Sequence, residues 1–140
     1  MTQPVVLTQR VPAPPATVFA HWTNAGLLAA WWWPQWPDTT YEVDARVGGA
    51  YRIRSDGAGF GAHGVFTALD EPHRIAMTWV WETGEESSPE DTVVVDFAEH
   101  DGGTLVTVTH AVAAADEDTS GLRQGWTDVL ARLGELPRNT

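Results

Sequence analysis

Arg74-Ile75-Ala76-Met77-Thr78-Trp79-Val80-Trp81 alternates large apolar residues with smaller or polar ones, and this stretch decides the fold. A period of two places Ile75, Met77, Trp79 and Trp81 on one face of a β-strand. Thr92 to Ala98 repeats the pattern, with Val93, Val95 and Phe97 together. Asp101-Gly102-Gly103 carries hairpin turn chemistry, so Thr104 to His110 reads as the returning antiparallel strand. Its inward face holds Thr104, Val106, Val108 and His110.

Upstream, Gly64 to Leu69 reads as a strand joined to Arg74 through an Asp70-Glu71-Pro72 turn. Ala50 to Ser55 alternates, with Tyr51 and Ile53 on one face and Arg52 and Arg54 on the other. Gly-rich Asp56 to Gly61 reads as a turn, and Thr40 to Asp44 as a strand ending before a Gly48-Gly49 turn or bulge. Val5 to Val11 is a β-branched strand stopped by Pro12, Pro14 and Pro15. Proline is tolerated at a helix start, where the first N–H groups lack partners anyway. Pro15 to Trp22 is therefore a short helix. Asn24 is a fitting N-cap for a second one, Ala25 to Trp31, which Pro34 and Pro37 interrupt.

Downstream the period changes. Leu122, Trp126, Val129, Leu130, Leu133 and Leu136 form one apolar stripe of a helix. Thr119 or Ser120 is placed to cap it, and Pro137 ends it. The order predicts an α+β protein of one domain spanning 1–140. Six or seven antiparallel strands wrap around a long C-terminal helix, with two short helices after the first strand. A sheet must cover its apolar face, and curling around one helix leaves a concave, mostly apolar pocket between them.

Composition narrows the chemistry. The chain has 140 residues, eight Arg, no Lys, no Cys and a net charge of −11. Without Cys there are no disulfides, thiolate nucleophiles, zinc fingers or Fe–S clusters. Without Lys there is no Schiff-base chemistry and no P-loop lysine. The acidic balance argues against nucleic acid and anionic lipid as partners. No stretch has a signal-peptide pattern or the length of a membrane span, so a cytoplasmic protein is expected. The charge excess falls between Ile75 and Leu122, which hold eleven acids and no Arg. Acidic residues around Glu85-Glu86 and Glu90-Asp91 read as solvated loop.

Two motif matches fail on context. Gly59-Phe60-Gly61-Ala62-His63-Gly64 fits G-x-G-x-x-G, but a strand rather than a helix follows it. No serine stands in a G-x-S-x-G elbow. His21, His63, His73, His100 and His110 show no metal-ligand spacing, so neither a metal nor a cofactor is expected. Asp44 is read as a structural partner of Arg46 or Arg52.

The eight Trp are the most informative residues. Trp31, Trp32, Trp33 and Trp36 cluster. Three consecutive helical Trp point about 100° apart and cannot share a face, so one of them is expected at the surface, in a cavity or against a second subunit. Gly121 and Gly125 lie four apart, and a mid-helix Gly at 125 suggests close approach by a strand, a ligand or another helix.

Several motifs together resemble the START-like superfamily, and within it the family of the C-terminal domain of the activator of heat-shock protein 90 ATPase. They are Ala13-Pro14-Pro15 with Val18-Phe19 and Trp22; Leu28 with Trp31-Trp32 and Pro34; Asp44-x-Arg46-Val47-Gly48-Gly49-x-Tyr51-Arg52; Gly64; Arg74-Ile75 with Thr78-Trp79; Gly103-Thr104 with Thr107 and Thr109-His110; and Gly125-Trp126 with Leu130 and Leu133. The resemblance implies a helix-grip fold with a cavity. Its relatives include carriers, polyketide cyclases, stress proteins and chaperone cofactors. The chaperone activator itself has a further N-terminal domain for which this chain leaves no room, so a chaperone partner is not the favoured expectation. Trp33 stands where such proteins often have a small residue before the proline.

The expected function is binding of a small apolar or aromatic molecule between sheet and helix. The expected lining is Trp32, Trp33, Tyr51, Phe66, Met77, Trp79, Trp81, Phe97, His110, Leu122, Trp126 and Leu130. The alternative readings are a cyclase- or dehydratase-type enzyme using His110 with His63 or Tyr51, and a chaperone-cofactor-like interaction protein. Exposed Trp would also suit a homodimer.

Overall fold

The β-branched and aromatic runs form eight strands, and the computed structural model describes residues 4–83, 86–87, 89–113 and 119–135. Strand β1 (Val5–Val11) leads into helices α1 (Pro15–Thr23) and α2 (Ala25–Leu28). Strands β2 (Thr40–Val43), β3 (Ala50–Ser55), β4 (Phe60–Asp70), β5 (Arg74–Thr83), β6 (Glu86–Ser87), β7 (Asp91–His100) and β8 (Gly103–Ala111) follow, then helix α3 (Ser120–Leu133). All pairings are antiparallel, in the order β1-β8-β7-β5-β4-β3-β2, with β6 on the far end of β5. The first strand closes on the last, from Val5 opposite His110 to Val11 opposite Thr104. This is the expected helix-grip arrangement, a curved antiparallel sheet around one C-terminal helix.

Register explains the shared inner face. His110 lies opposite Val93, Val108 opposite Val95, and Val106 opposite Phe97, and all six are buried. Helix α3 buries Trp126, Val129, Leu130 and Leu133 on the predicted stripe. Leu136 and Pro137, read as the stripe's end and its stop, lie outside the described residues. Thr119 occupies the N-cap position without a side-chain capping bond. Asn24 caps α2 as expected, its Oδ1 accepting the Leu27 N–H at 3.1 Å.

Three local readings are corrected. Strand β4 begins at Phe60, not Gly64, because its glycines are ladder residues rather than turn residues. A Cβ at Gly64 would stand 2.1 Å from the Thr78 carbonyl oxygen, and one at Gly61 would stand 2.7 Å from that of Ile53. Glycine is what lets adjacent backbones approach there. Helix α2 ends at Leu28 rather than Trp31. The acidic stretch is not wholly loop: Glu82 is buried in β5, Asp91 is buried at the start of β7, and Glu86 belongs to β6. Glu85 and Asp116 to Asp118 lie outside the described residues.

The Gly64 contact is directly testable. Gly64→Ala should lower the urea midpoint by an amount worth about 1–3 kcal/mol, the usual cost of forcing atoms into a close-packed site. An unchanged midpoint would show that β4 and β5 can separate there freely.

Candidate ligand-binding site

Past α2 the chain cannot stay helical, since Pro34 and Pro37 lack the N–H a helix interior requires. It runs instead as successive turns, with Trp31 and Trp32 N–H donating to Leu28 O, Trp36 N–H to Trp33 O and Thr39 N–H to Trp36 O. Side chains fix this segment. Trp31 Nε1 donates to His21 O at 3.1 Å, and the Trp33 N–H donates to Tyr41 Oη at 3.1 Å. Arg132 reaches across from α3, giving Nε to Trp31 O at 2.9 Å and Nη2 to Trp32 O.

Outside a helix the 100° constraint lapses. Trp31, Trp32 and Trp33 are therefore all buried; of the expected placements at the surface, in a cavity or against a second subunit, Trp32 and Trp33 take the cavity, both lining a cleft. Trp36 and Trp81 are half-buried and the other Trp buried, so the exposed Trp that motivated a homodimer is not found.

The segment, α3 and the ends of β4 and β5 enclose a cleft of about 710 Å³. Seven rings line it: Trp32, Trp33, Trp36, Phe60, Trp79, Trp81 and Trp126. The rings lean on one another at 4.9–5.7 Å between centroids, from Trp36–Trp33–Phe60–Trp81 round to Trp79 and Trp126. Leu122 and Val129 complete the apolar wall, and Gly121 and Gly125 line it from α3. A Cβ at Gly121 or Gly125 would meet nothing within 4 Å. Gly125 thus answers to no close-packed strand or helix, and the space beside it belongs to the cleft. Gln35, Thr83, Asp128 and Arg132 are the polar side chains of the lining.

Six of the twelve expected lining residues meet here: Trp32, Trp33, Trp79, Trp81, Leu122 and Trp126. Tyr51, Phe66 and Met77 instead surround a void of only about 20 Å³ deeper in the core, because Trp22, Trp32 and Trp79 fill the space between helix and sheet. Phe97 packs edge-on against Phe19 and Trp22 at 5.5 and 6.2 Å, and Leu130 is core. Phe60 was hidden in a Gly-rich stretch that read as turn, and Arg132 sits beside the apolar stripe without breaking it.

His110 is wholly buried behind Trp126. An indole nitrogen only donates, so the Trp126 Nε1–H to His110 Nδ1 bond of 3.0 Å leaves Nδ1 as acceptor. Nε2 then carries the proton and donates to Asp91 Oδ2 at 2.8 Å, while Asp91 Oδ1 accepts the Ala113 N–H. The chain fixes a neutral tautomer and ties α3 to β7 and β8.

The enzyme reading's other groups do not converge with it. Burial pushes the Tyr51 phenol far above its ordinary range, and its hydroxyl donates to Thr78 O. His63 lies opposite Arg52 on the outer face, where its Nδ1 is 2.6 Å from Glu82 Oε2. Arg52 and Arg54 also hold Glu82, at 2.8 and 3.2 Å. Hydrogen bonding from Arg52, then His63, lowers the Glu82 carboxyl to about 2 against the desolvation that opposes it. Asp44 pairs with Arg46 at 2.8 Å in an exposed turn rather than with Arg52. Among the described residues, no three His, Asp or Glu side chains gather as a metal site.

Comparison with known proteins now bears on this geometry. The family model of Activator of Hsp90 ATPase homolog 1-like protein matches residues 12–137. The chain belongs to that family. The protein Ms6760 from Mycobacterium smegmatis shares the fold at a TM-score of 0.82 and 24% identity, over 99% of this chain and 93% of that one. PFC0360w, an HSP90 activator from Plasmodium falciparum, aligns at 0.71 and 23%, over 94% of both chains. CalU16 from Micromonospora echinospora aligns at 0.72 and 25%, over 94% of this chain and 73% of that one. No curated protein matches the sequence. Among the described residues no helix is long and apolar enough to cross a membrane.

Two outcomes follow for this family member. A carboxyl lowered on folding stabilises above its unfolded range, and that stability is lost as pH falls through the folded value. The wild-type protein should therefore lose stability from about pH 4.5 towards pH 2 through Glu82. Glu82→Gln should be less stable at neutral pH and lose less over that window, as read by denaturant midpoints. Gly125→Ala should gain about 1 kcal/mol, the helix-propensity difference, since the added methyl meets open space. A loss of stability in Gly125→Ala would contradict the open wall.

Proposed function

We propose that the protein binds a small, flat aromatic molecule in the cleft between the Trp31–Trp36 segment, the β4–β5 ends and α3. The observation that carries this reading is the ring of seven aromatic side chains around about 710 Å³, a size typical of small-molecule sites. Flat ligands suit such walls, because stacked and edge-on ring contacts add roughly 0.5–1.5 kcal/mol beyond burial. The cleft's polar groups are few, and His110 is screened from it by Trp126. This favours holding a molecule over transforming one.

Methyl 2-naphthoate is a suitable neutral probe. At about a hundred times its dissociation constant it should stabilise the fold by about 2.7 kcal/mol, raising the melting temperature. Gly125→Leu should fold, fill the space beside α3 and abolish the shift. No shift in the wild-type protein, or an equal shift in Gly125→Leu, would overturn the reading.

A further inference from the structure

We propose that the cleft selects aromatic ligands bearing a carboxylate, and that Arg132 is the residue that determines this preference. The inference rests on the proposed aromatic-binding function and adds the polar end of the ligand. Arg132 lines the cleft and is half-buried. A guanidinium is a cation with five N–H donors in a fixed plane. Nε and Nη2 are committed to the carbonyls of Trp31 and Trp32. Both acceptors are neutral, so they orient the fork without cancelling its charge. Among the described residues, no carboxylate pairs with Arg132 and no acceptor meets Nη1.

The rest of the lining does not neutralise Arg132. The one carboxylate of the lining, Asp128, is exposed one helical turn before Arg132 and already accepts the Gln124 side-chain N–H at 2.9 Å. Tyr41 Oη is occupied by the Trp33 N–H, and burial raises the phenol's pKa so that it adds no negative charge at neutral pH. A net charge of −11 opposes anions at long range. Preference for a carboxylate therefore has to come from local contact, and salt separates the two, since screening acts on distant exposed charges far more than on a half-buried pair.

The experiment compares 2-naphthoate with methyl 2-naphthoate, which share the ring and differ in charge, by calorimetric titration at neutral pH in about 0.5 M salt. A hydrogen bond to a charged group is worth roughly tenfold to a hundredfold in affinity, so 2-naphthoate should bind at least tenfold tighter. Arg132→Gln should bring the two within about twofold of each other while still binding the ester. Arg132→Lys, whose single ammonium cannot hold two carbonyls and a ligand together, should give an intermediate ratio. The ratio within one variant is insensitive to a general loosening of the Trp31–Trp36 segment. Equal binding of acid and ester by the wild-type protein would overturn this inference and leave the aromatic-binding reading standing. So would a preference that survives in Arg132→Gln. Failure of both ligands to bind the wild-type protein would overturn both readings. Equal binding of acid and ester by the wild-type protein overturns the inference even should the variants not fold.

Discussion

The hydrogen bond from Trp126 to His110 is the contact on which the rest of the site depends. It joins the middle of α3 to the inner face of β8, and through Asp91 to the start of β7. A helix laid directly on a sheet would bring its backbone close and leave little room. Here the large indole stands between them and is fixed at its far end by a fully buried histidine. Every polar atom named in this chain has a partner, which a buried network needs if it is to favour one arrangement. On the N-terminal side of Trp126 the helix offers Gly121 and Gly125, so its surface recedes where the β5 rings Trp79 and Trp81 come up. The cleft opens beside one large side chain, Trp126, where its neighbour Gly125 and then Gly121 add none, while Leu122, a turn before Trp126, completes the wall.

Arg132 performs the matching task on the other wall. By holding the carbonyls of Trp31 and Trp32 it makes a proline-broken segment part of the same rigid unit as α3. Several rings of the aromatic cluster then pack edge against face, a geometry that ring quadrupoles favour. Trp32 meets Trp126 at 86° and Trp79 meets Trp81 at 73°.

Most of the fold was legible because alternation is a local signal. Ile75, Met77 and Trp79 declare their face without reference to any other strand, and the α3 stripe does the same at period 3.6. The site was half legible. Trp79, Trp81 and Trp126 were placed in it by the faces they share. Tyr51, Phe66 and Met77 share that face too, yet Trp22 and Trp32 fill the volume above them, and volume is not written in periodicity. The run Trp31-Trp32-Trp33 was read with a helical rule, whereas α2 ends at Leu28 and the run continues as turns; Trp32 and Trp33 line the cleft all the same. Glu82 and Asp91 read as members of an acidic surface. Only the pairing of β3, β4, β5, β7 and β8 brings Arg52, His63 and His110 to them.

The cleft's role is tested most directly by the indole N–H signals of the ¹⁵N-labelled protein, of which the eight Trp supply one each. On saturation with methyl 2-naphthoate, the signals of Trp32, Trp33, Trp36, Trp79, Trp81 and Trp126 should move. That of Trp31, whose N–H is held by His21 O away from the cleft lining, should stay in place. Six unmoved cleft signals under saturation, or a displacement confined to Trp31 and Trp22, would contradict the assignment of this cleft as the binding site.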